Sequence, residues 1–239
     1  MRILVTGADG FIARNLIVRL GERGHADVLP VTRATSPSEL ERAAAEAGIV
    51  FHLAGVNRPK DTSEFAAGNA DFTRGLCAAL ARAGNKAPVV LTSSTQAERD
   101  NPYGASKLAA EEALLAHGAA TGAPVHIYRL TNVFGKWSRP NYNSAVATFC
   151  SQVAAGTAPS IHDPSAPLRL VYVDDVADAF AELVDNPEAP SGRHEIDPVY
   201  ETTVGEVAAI IGSFAASRAS LVTPPTGGGL VRALHATYL

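Results

Sequence analysis

The stretch ILVTGADGFIA, residues 3–13, decides the fold. Four apolar or β-branched residues, Ile3 to Thr6, read as a short buried strand, and Phe11 onward reads as a helix. Gly7 and Gly10 stand at the passage between them, where the chain must turn tightly and let a pyrophosphate approach backbone N–H groups at a helix N-terminus. The third glycine of that fingerprint is replaced by Ala13, small enough for close packing of helix on strand. Candidate cofactor contacts here are Gly7, Asp9, Gly10, Phe11 and Ile12. Outward from this point strand-like runs alternate with Ala-rich helical segments. Strands are expected at Asp27–Thr32, Ile49–Leu53, Val89–Leu91 and Val125–Leu130, and helices at Phe11–Glu22, Glu39–Ala47, Asn69–Ala83 and Tyr103–Ala116. Strictly alternating elements imply an α/β fold with a doubly wound, Rossmann-type parallel sheet.

The second strand ends at Val31-Thr32-Arg33, where an NAD-binding chain often places an acid for the ribose 2′-hydroxyl. No acid stands there, and Arg33 is suited to a 2′-phosphate, so NADPH is expected, with NAD as the alternative and Arg14 as a weaker second contact. Tyr103 and Lys107 are four residues apart on a helix and share a face. An ammonium beside a phenol, together with an oxidised nicotinamide, is expected to lower the phenol's pKa and make it an acid–base group. Only four of the twenty basic residues are lysines, yet one falls at this position. Thr92, Ser93, Ser94 and Thr95 follow a strand at the ligand-binding end of the sheet. Ser94 is the candidate to hold the reacting carbonyl, and Ser93 is its nearest rival. The catalytic candidates are thus Ser94, Tyr103 and Lys107.

Beyond Phe134 the pattern loosens into a polar, aromatic loop, then a helix near Ser144–Ala155, a strand at Leu168–Tyr172, a helix at Val176–Val184, and a helix opened by Thr203 with Glu206 three residues on, as in a capping box. Pro224–Gly229 reads as a loop. The chain is expected to be one unit of 239 residues with a small C-terminal substrate-binding annex: a core of about 1–135 plus 173–185, and substrate-binding parts of about 136–172 and 186–239. Apolar residues make up 46% of the chain, enough for a full core, and the net charge of −4 argues against a nucleic-acid binder. No apolar run approaches the roughly 20 residues of a membrane span and no signal peptide precedes the first strand, so a cytoplasmic location is expected. Cys77 and Cys150 lack metal-ligand spacing, and no metal is expected.

With these residues in place, the Gly7/Gly10/Ala13 turn, His52-Leu-Ala-Gly55, Ser94, Tyr103/Lys107 and Tyr172-Val-Asp-Asp175 resemble the extended short-chain dehydrogenase/reductases of nucleotide-sugar metabolism. HLAGVNRP (52–59), NPYGASK (101–107) and FGKWSRPNYNSAVATFC (134–150) resemble, more narrowly, the reductase domain of CapF-type bifunctional capsular-polysaccharide enzymes. The resemblance implies an NADPH-dependent reductase of the 4-keto group of a UDP-2-acetamido-2,6-dideoxy-hexulose, with Leu53, Ala54 and Gly55 added to the cofactor contacts. It places Ser94, Asn132, Asn141, Asn143 and Ser144 toward the sugar nucleotide, with Lys136, Trp137 and Arg139 shaping or charging the pocket. For Trp137, a packing role weighs equally. His52 is expected to pack beside the cofactor, and neither it nor His162 is assigned a proton-transfer role. In that family a zinc cupin domain follows and epimerises C3; nothing in these residues resembles one. A separate cupin epimerase is therefore a possible partner, either because the sequence is a piece of a longer chain or because the reductase stands alone, and family analogy adds a possible homodimer. Two rivals remain: an NAD-retaining epimerase or dehydratase, disfavoured by Thr95-Gln96 where a dehydratase would carry an acidic pair, and a catalytically silent NADPH-binding sensor or scaffold.

Overall fold

Ile3, Leu4 and Val5 have no exposed surface, and the strand they form, β1 (Ile3–Thr6), is flanked on both sides by parallel neighbours. A computed structural model describes residues 1–142, 144–224 and 226–239. From β1 the chain runs through α1 (Phe11–Glu22), β2 (Val28–Val31), α2 (Pro37–Glu46) and β3 (Ile49–His52). A continuous helical run follows: α3 (Ser63–Phe65), a π turn (Ala66–Asp71) and α4 (Phe72–Arg82). Next come β4 (Val89–Ser94), a 3₁₀ turn (Thr95–Glu98), α5 (Pro102–Thr121) and β5 (Val125–Leu130). The remainder comprises β6 (Asn132–Phe134), α6 (Ala145–Ala154), β7 (Pro167–Tyr172), α7 (Val173–Asp185), β8 (Gly192–His194), β9 (Tyr200–Thr203), α8 (Val204–Ser220) and α9 (Gly229–Tyr238). The Thr203/Glu206 capping box opens α8.

The chain divides into two compact units, residues 1–130 with 176–196, and residues 131–175 with 197–239. These boundaries differ from the expected core of 1–135 plus 173–185. Residues 186–196 belong to the first unit because β8 pairs with β5 and completes its sheet, and 131–135 belong to the second because β6 pairs with β7.

The first unit is a six-stranded, fully parallel sheet in the order β2-β1-β3-β4-β5-β8. The strand order reverses between β1 and β3, and ligands of such sheets bind at the carboxyl ends flanking that reversal. Buried on both faces, the strands read as continuous apolar runs, and Leu4, Val50, Leu91 and Ile127 pack with Leu76, Leu80 and Leu114 of the helices. The second unit is a three-stranded sheet, β6-β7-β9, parallel between β6 and β7 and antiparallel between β7 and β9, with α6, α8 and α9 packed on one another. Phe134, Phe149, Phe214 and Leu234 are buried in it.

Of the buried histidines of the first unit, His52, His117 and His126, two are lowered furthest. His52 bonds Thr6 Oγ1 at 2.7 Å and Thr73 Oγ1 at 2.9 Å, and burial, then the Lys107 charge, pushes its pKa down from 6.5 to about 3. His126 lies 3.0 Å from His194 across the β5–β8 pair, and burial, then that neighbour, lowers it to about 4. An unfolded chain protonates both near 6.5. The stability that depends on their neutrality is therefore complete above about pH 6.5 and is lost as pH falls toward 4, at up to about 1.4 kcal/mol per pH unit for each histidine. The urea midpoint is expected to be flat from pH 7 to 8 and to fall steeply below 6. A flat midpoint down to pH 4.5 would mean that neither ring must stay neutral.

Candidate active site

The turn after β1 is built as its sequence requires. Gly7 has φ +67°, and a Cβ on it would stand 2.7 Å from Ala54 Cα, against the backbone that leaves β3. Gly10 donates its N–H to the Gly7 carbonyl at 2.7 Å and caps α1, whose first turn carries no capping side chain and no acid. The N–H groups of that turn, including those of Phe11 and Ile12, are left for an anion. Asp9 is exposed at the turn, Ala13 is buried against the sheet, and Asn15 ties its amide to the Phe11 carbonyl at 2.9 Å. Thr6 Oγ1 accepts from Ala54 N–H at 3.2 Å, so β1 also fixes the Leu53-Ala54-Gly55 segment. Arg33 is exposed on the turn after β2, beside a cavity of about 320 Å³ lined by Val31, Thr32, Thr35 and Arg42.

Ser94 ends β4 and caps the 3₁₀ turn by accepting from Gln96 N–H at 3.1 Å. Asn101 caps α5 by accepting from Gly104 N–H at 2.8 Å, with Pro102 in the first turn. A Cβ at Gly104 would lie 2.3 Å from the Gln96 carbonyl oxygen, so only glycine lets α5 start this close to the turn after Ser94. That approach brings Tyr103 close enough to Ser94 for the serine hydroxyl to act on the phenol. Ser93, the rival, is spoken for: its hydroxyl donates to the Glu111 carboxylate. Lys107 is buried, donates to the Thr92 carbonyl at 3.1 Å, and has Nζ 6.0 Å from the Tyr103 ring centroid.

The expected lowering of the tyrosine's pKa depends on the oxidised nicotinamide as well as Lys107; in the chain by itself burial acts the other way. Burial raises the Tyr103 phenol above 10, and the Ser94 hydrogen bond opposes this as the smaller effect. Lys107 is itself lowered by burial to about 8, opposed by the Glu111 charge.

Sequence reasoning missed Asn69. It lies in the π turn, nearly fully buried, and its amide donates to the Val56 carbonyl at 3.0 Å and to Ser106 Oγ at 2.9 Å, while its carbonyl accepts from Val56 N–H at 3.0 Å. Ser106 in turn donates to the Tyr103 carbonyl at 2.8 Å. Asn69 thus joins the loop after β3 to the helix carrying Tyr103 and Lys107. A Cβ on Gly55 would come within 2.9 Å of Asn69 Oδ1 and 3.0 Å of Lys107 Nζ. A π turn is a rare local distortion that concentrates at functional sites, and an asparagine in an otherwise apolar helical run was its only trace in the sequence. His52, neutral at pH 7 and hydrogen-bonded at both nitrogens to threonine hydroxyls, has no ring nitrogen left for a substrate, and His162 is exposed on its loop.

The remaining candidates lie in the second unit. Asn132 donates its amide to the Arg169 carbonyl at 3.1 Å. Lys136 is ion-paired with Asp174 and lies over the Tyr172 ring, so its charge already has a partner. Trp137 and Asn141 are exposed with φ +68° and +56°, and Arg139 is exposed between them. The loop faces Ala147 and Cys150 of α6 and Tyr238 of α9 across a cavity of about 200 Å³. Ser144 is the cap of α6, accepting from Ala147 N–H at 3.2 Å, which accounts for a serine here without a ligand. Asn143 lies outside the described residues. Among those described, no cluster of three or more His, Cys, Asp or Glu side chains is placed to hold a metal, and no helix is long and apolar enough to cross a membrane. Both cysteines are buried, and burial raises their thiols to about 11 at Cys77 and about 12 at Cys150.

Comparison with known proteins agrees with this geometry. The profile of the NAD dependent epimerase/dehydratase family matches residues 3–196. Over all 239 residues the chain is 48% identical to a UDP-2-acetamido-2,6-beta-L-arabino-hexul-4-ose reductase of Pseudomonas aeruginosa and spans 64% of that protein. The crystal structure of the capsular polysaccharide assembling protein CapF from Staphylococcus aureus matches the whole chain with a TM-score of 0.90 at 37% identity, and the chain spans 65% of it. A UDP-glucose 4-epimerase of Thermus thermophilus in complex with NAD matches with a TM-score of 0.80 over 100% of this chain and 98% of its own, at 22% identity, a likeness of fold.

Proposed function

Because the chain belongs to the NAD dependent epimerase/dehydratase family, we propose that it uses NADPH to reduce the 4-keto group of a UDP-2-acetamido-2,6-dideoxy-hexulose during synthesis of a surface-polysaccharide precursor. The observation that carries this reading is Tyr103 at the start of α5 beside Ser94, with the buried Lys107 Nζ 6.0 Å from the Tyr103 ring. The chain's 48% identity, over its full length, to a protein named for this kind of reduction supports it.

A dinucleotide fits the first unit. The uncapped start of α1 suits its pyrophosphate, and the close approach of Gly7 to Ala54 leaves that turn free of side chains. Gly7, Gly10, Phe11 and Ile12 would hold the phosphates, Leu53 to Gly55 the middle of the cofactor, and Lys107 its nicotinamide ribose. When bound, the reduced nicotinamide supplies a hydride to the sugar's C4. Ser94 holds the C4 oxygen, and Tyr103, protonated at neutral pH because burial keeps its pKa high, donates the proton that completes the alcohol. Lys107 stabilises the phenolate left behind, which regains its proton from solvent.

The test is loss of absorbance at 340 nm with NADPH and the 4-keto UDP-sugar, with and without an added cupin epimerase. NADPH oxidation is the expected result. No oxidation in either arm, with NAD still bound after purification, would replace the reductase with an epimerase that retains its cofactor. Arg33 is assigned to the 2′-phosphate. Arg33→Ala is expected to weaken NADPH binding by about 10- to 100-fold, the usual worth of a charge-assisted hydrogen bond, and to leave NADH binding unchanged. Calorimetric titration with both cofactors checks this, and equal small losses for the two would leave Arg33 a solvated surface residue.

A further inference from the structure

One turn beyond Lys107 on α5 stands a carboxylate with no exposed surface. Glu111 accepts from the Ser93 hydroxyl, from Arg129 Nε at 2.9 Å and from Arg129 Nη2 at 2.7 Å, and has Arg193 Nη2 at 3.6 Å. Its partners come from three adjacent strands: Ser93 on β4 stands opposite Arg129 on β5 in the parallel register, and Arg193 is on β8. Ser93 immediately precedes Ser94. Tyr103, Lys107 and Glu111 are spaced four apart and so line one face of α5.

We propose that Glu111 is a positioning residue: its clamp on Ser93 and Arg129 fixes the end of β4 against α5, and it stands one helical turn from Lys107 on the same face of α5. The inference rests on Tyr103 and Lys107 being the proton-transfer pair of the preceding section. The reason for such a group is that Lys107 is buried, and a buried amine without an anion nearby gives up its proton. Burial brings Lys107 down to about 8, with Glu111 as the group that opposes it. The other titratable groups that face Lys107 are Tyr103 on its own helix and His52 on β3, whose ring is neutral. Thr92 of β4 meets Lys107 through its carbonyl oxygen, and from the loop after β3 Gly55 packs against Nζ. Arg129 and Arg193 reach the same carboxylate from the far side and take part of its charge, Arg129 sharing its guanidinium with Glu98 as well. Two arginines on one buried carboxylate make the Lys107 charge sensitive to either side of that balance.

The experiment is a pH titration of the chain labelled with ¹³Cε-lysine. The sequence has four lysines, Lys60, Lys86, Lys107 and Lys136, so the Lys107 resonance is assigned by single Lys→Arg substitution at each of the other three. Glu111→Gln keeps the shape, removes the charge, and is expected to move the Lys107 midpoint down by roughly one pH unit, as for loss of a neighbouring opposite charge. Glu111→Asp keeps the charge and is expected to restore the midpoint to near that of the unaltered chain. Arg129→Gln, which frees more of the carboxylate's charge, is expected to move it up, and this variant decides the matter if Glu111→Gln does not fold. The alkaline limb of the pH–rate profile should shift with each midpoint. Loss of thermal stability with an unmoved midpoint, or a midpoint that moves the same way in Glu111→Gln and Arg129→Gln, would overturn the proposal and leave Glu111 a structural ion pair. Because the titration needs neither substrate nor cofactor, it stands or falls separately from the reductase reading.

Discussion

Replacing Tyr103 by Phe is expected to lower turnover by about two to four orders of magnitude, the usual worth of a positioned proton donor, while leaving NADPH affinity nearly intact. The substitution is clean because of how the hydroxyl is held. Its partner, Ser94, keeps the Gln96 N–H it already accepts, so no buried group is orphaned. The ring keeps its tilted contact with Phe65, 5.6 Å between centroids, and the cost in stability is at most about 1 kcal/mol. Single-turnover mixing with NADPH separates the two effects, and a Tyr103→Phe variant that turns over normally would remove Tyr103 from the mechanism.

A change of one methyl group at Gly7 is expected to act on the other half of the site. Alanine there must hold φ near +67°, which costs an L-residue about 1–2 kcal/mol. Its Cβ would also face Ala54 Cα at 2.7 Å, Ala54 N at 2.8 Å and the Leu53 carbonyl carbon at 3.1 Å, all backbone, so no rotamer change relieves it. Either the turn or the segment after β3 must shift, and both are assigned to the cofactor. Gly7→Ala is expected to lose NADPH binding by about 100-fold or more and to melt about 5–10 °C lower, given that a chain of this size shifts by roughly 2–4 °C per kcal/mol. Calorimetry with NADPH and a thermal melt measure both. A variant that binds and melts like the parent would mean that the turn tolerates a side chain after all.

What the sequence made legible was local. Residues 3–13 announced strand, turn and helix within eleven positions, and the four-residue spacing of Tyr103 and Lys107 needed only a helix to put them on one face. Ser94 could be placed at the end of its strand, but nothing local set it apart from Ser93. That distinction depends on Glu111, eighteen residues away from Ser93. Asn69 was hidden for the same reason, since its partners Val56 and Ser106 lie 13 and 37 residues off. The short strands β6 and β8, three residues each, are too brief for a period-two pattern and exist because a neighbouring strand offers them an edge. Chain order reveals the lysine four residues from Tyr103 but not the burial that raises the phenol in the chain by itself. Lys136 looked available as a cation until Asp174, 38 residues on, closed its charge.

The pairing of β8 with β5 also bears on how the chain is made. β5 ends at Leu130, yet the strand that covers its open edge begins at Gly192, after the whole segment 131–175 has been synthesised. A nascent chain halted between residues 131 and 191 holds a five-stranded sheet whose last strand exposes its hydrogen-bonding groups, with His126 lacking the ring it meets in the finished protein. Domains fold as units while the ribosome proceeds from the N-terminus. Here the first unit to be started is closed only once the chain has returned from building much of the second, and until then its bare edge is the part of the molecule most in need of a chaperone.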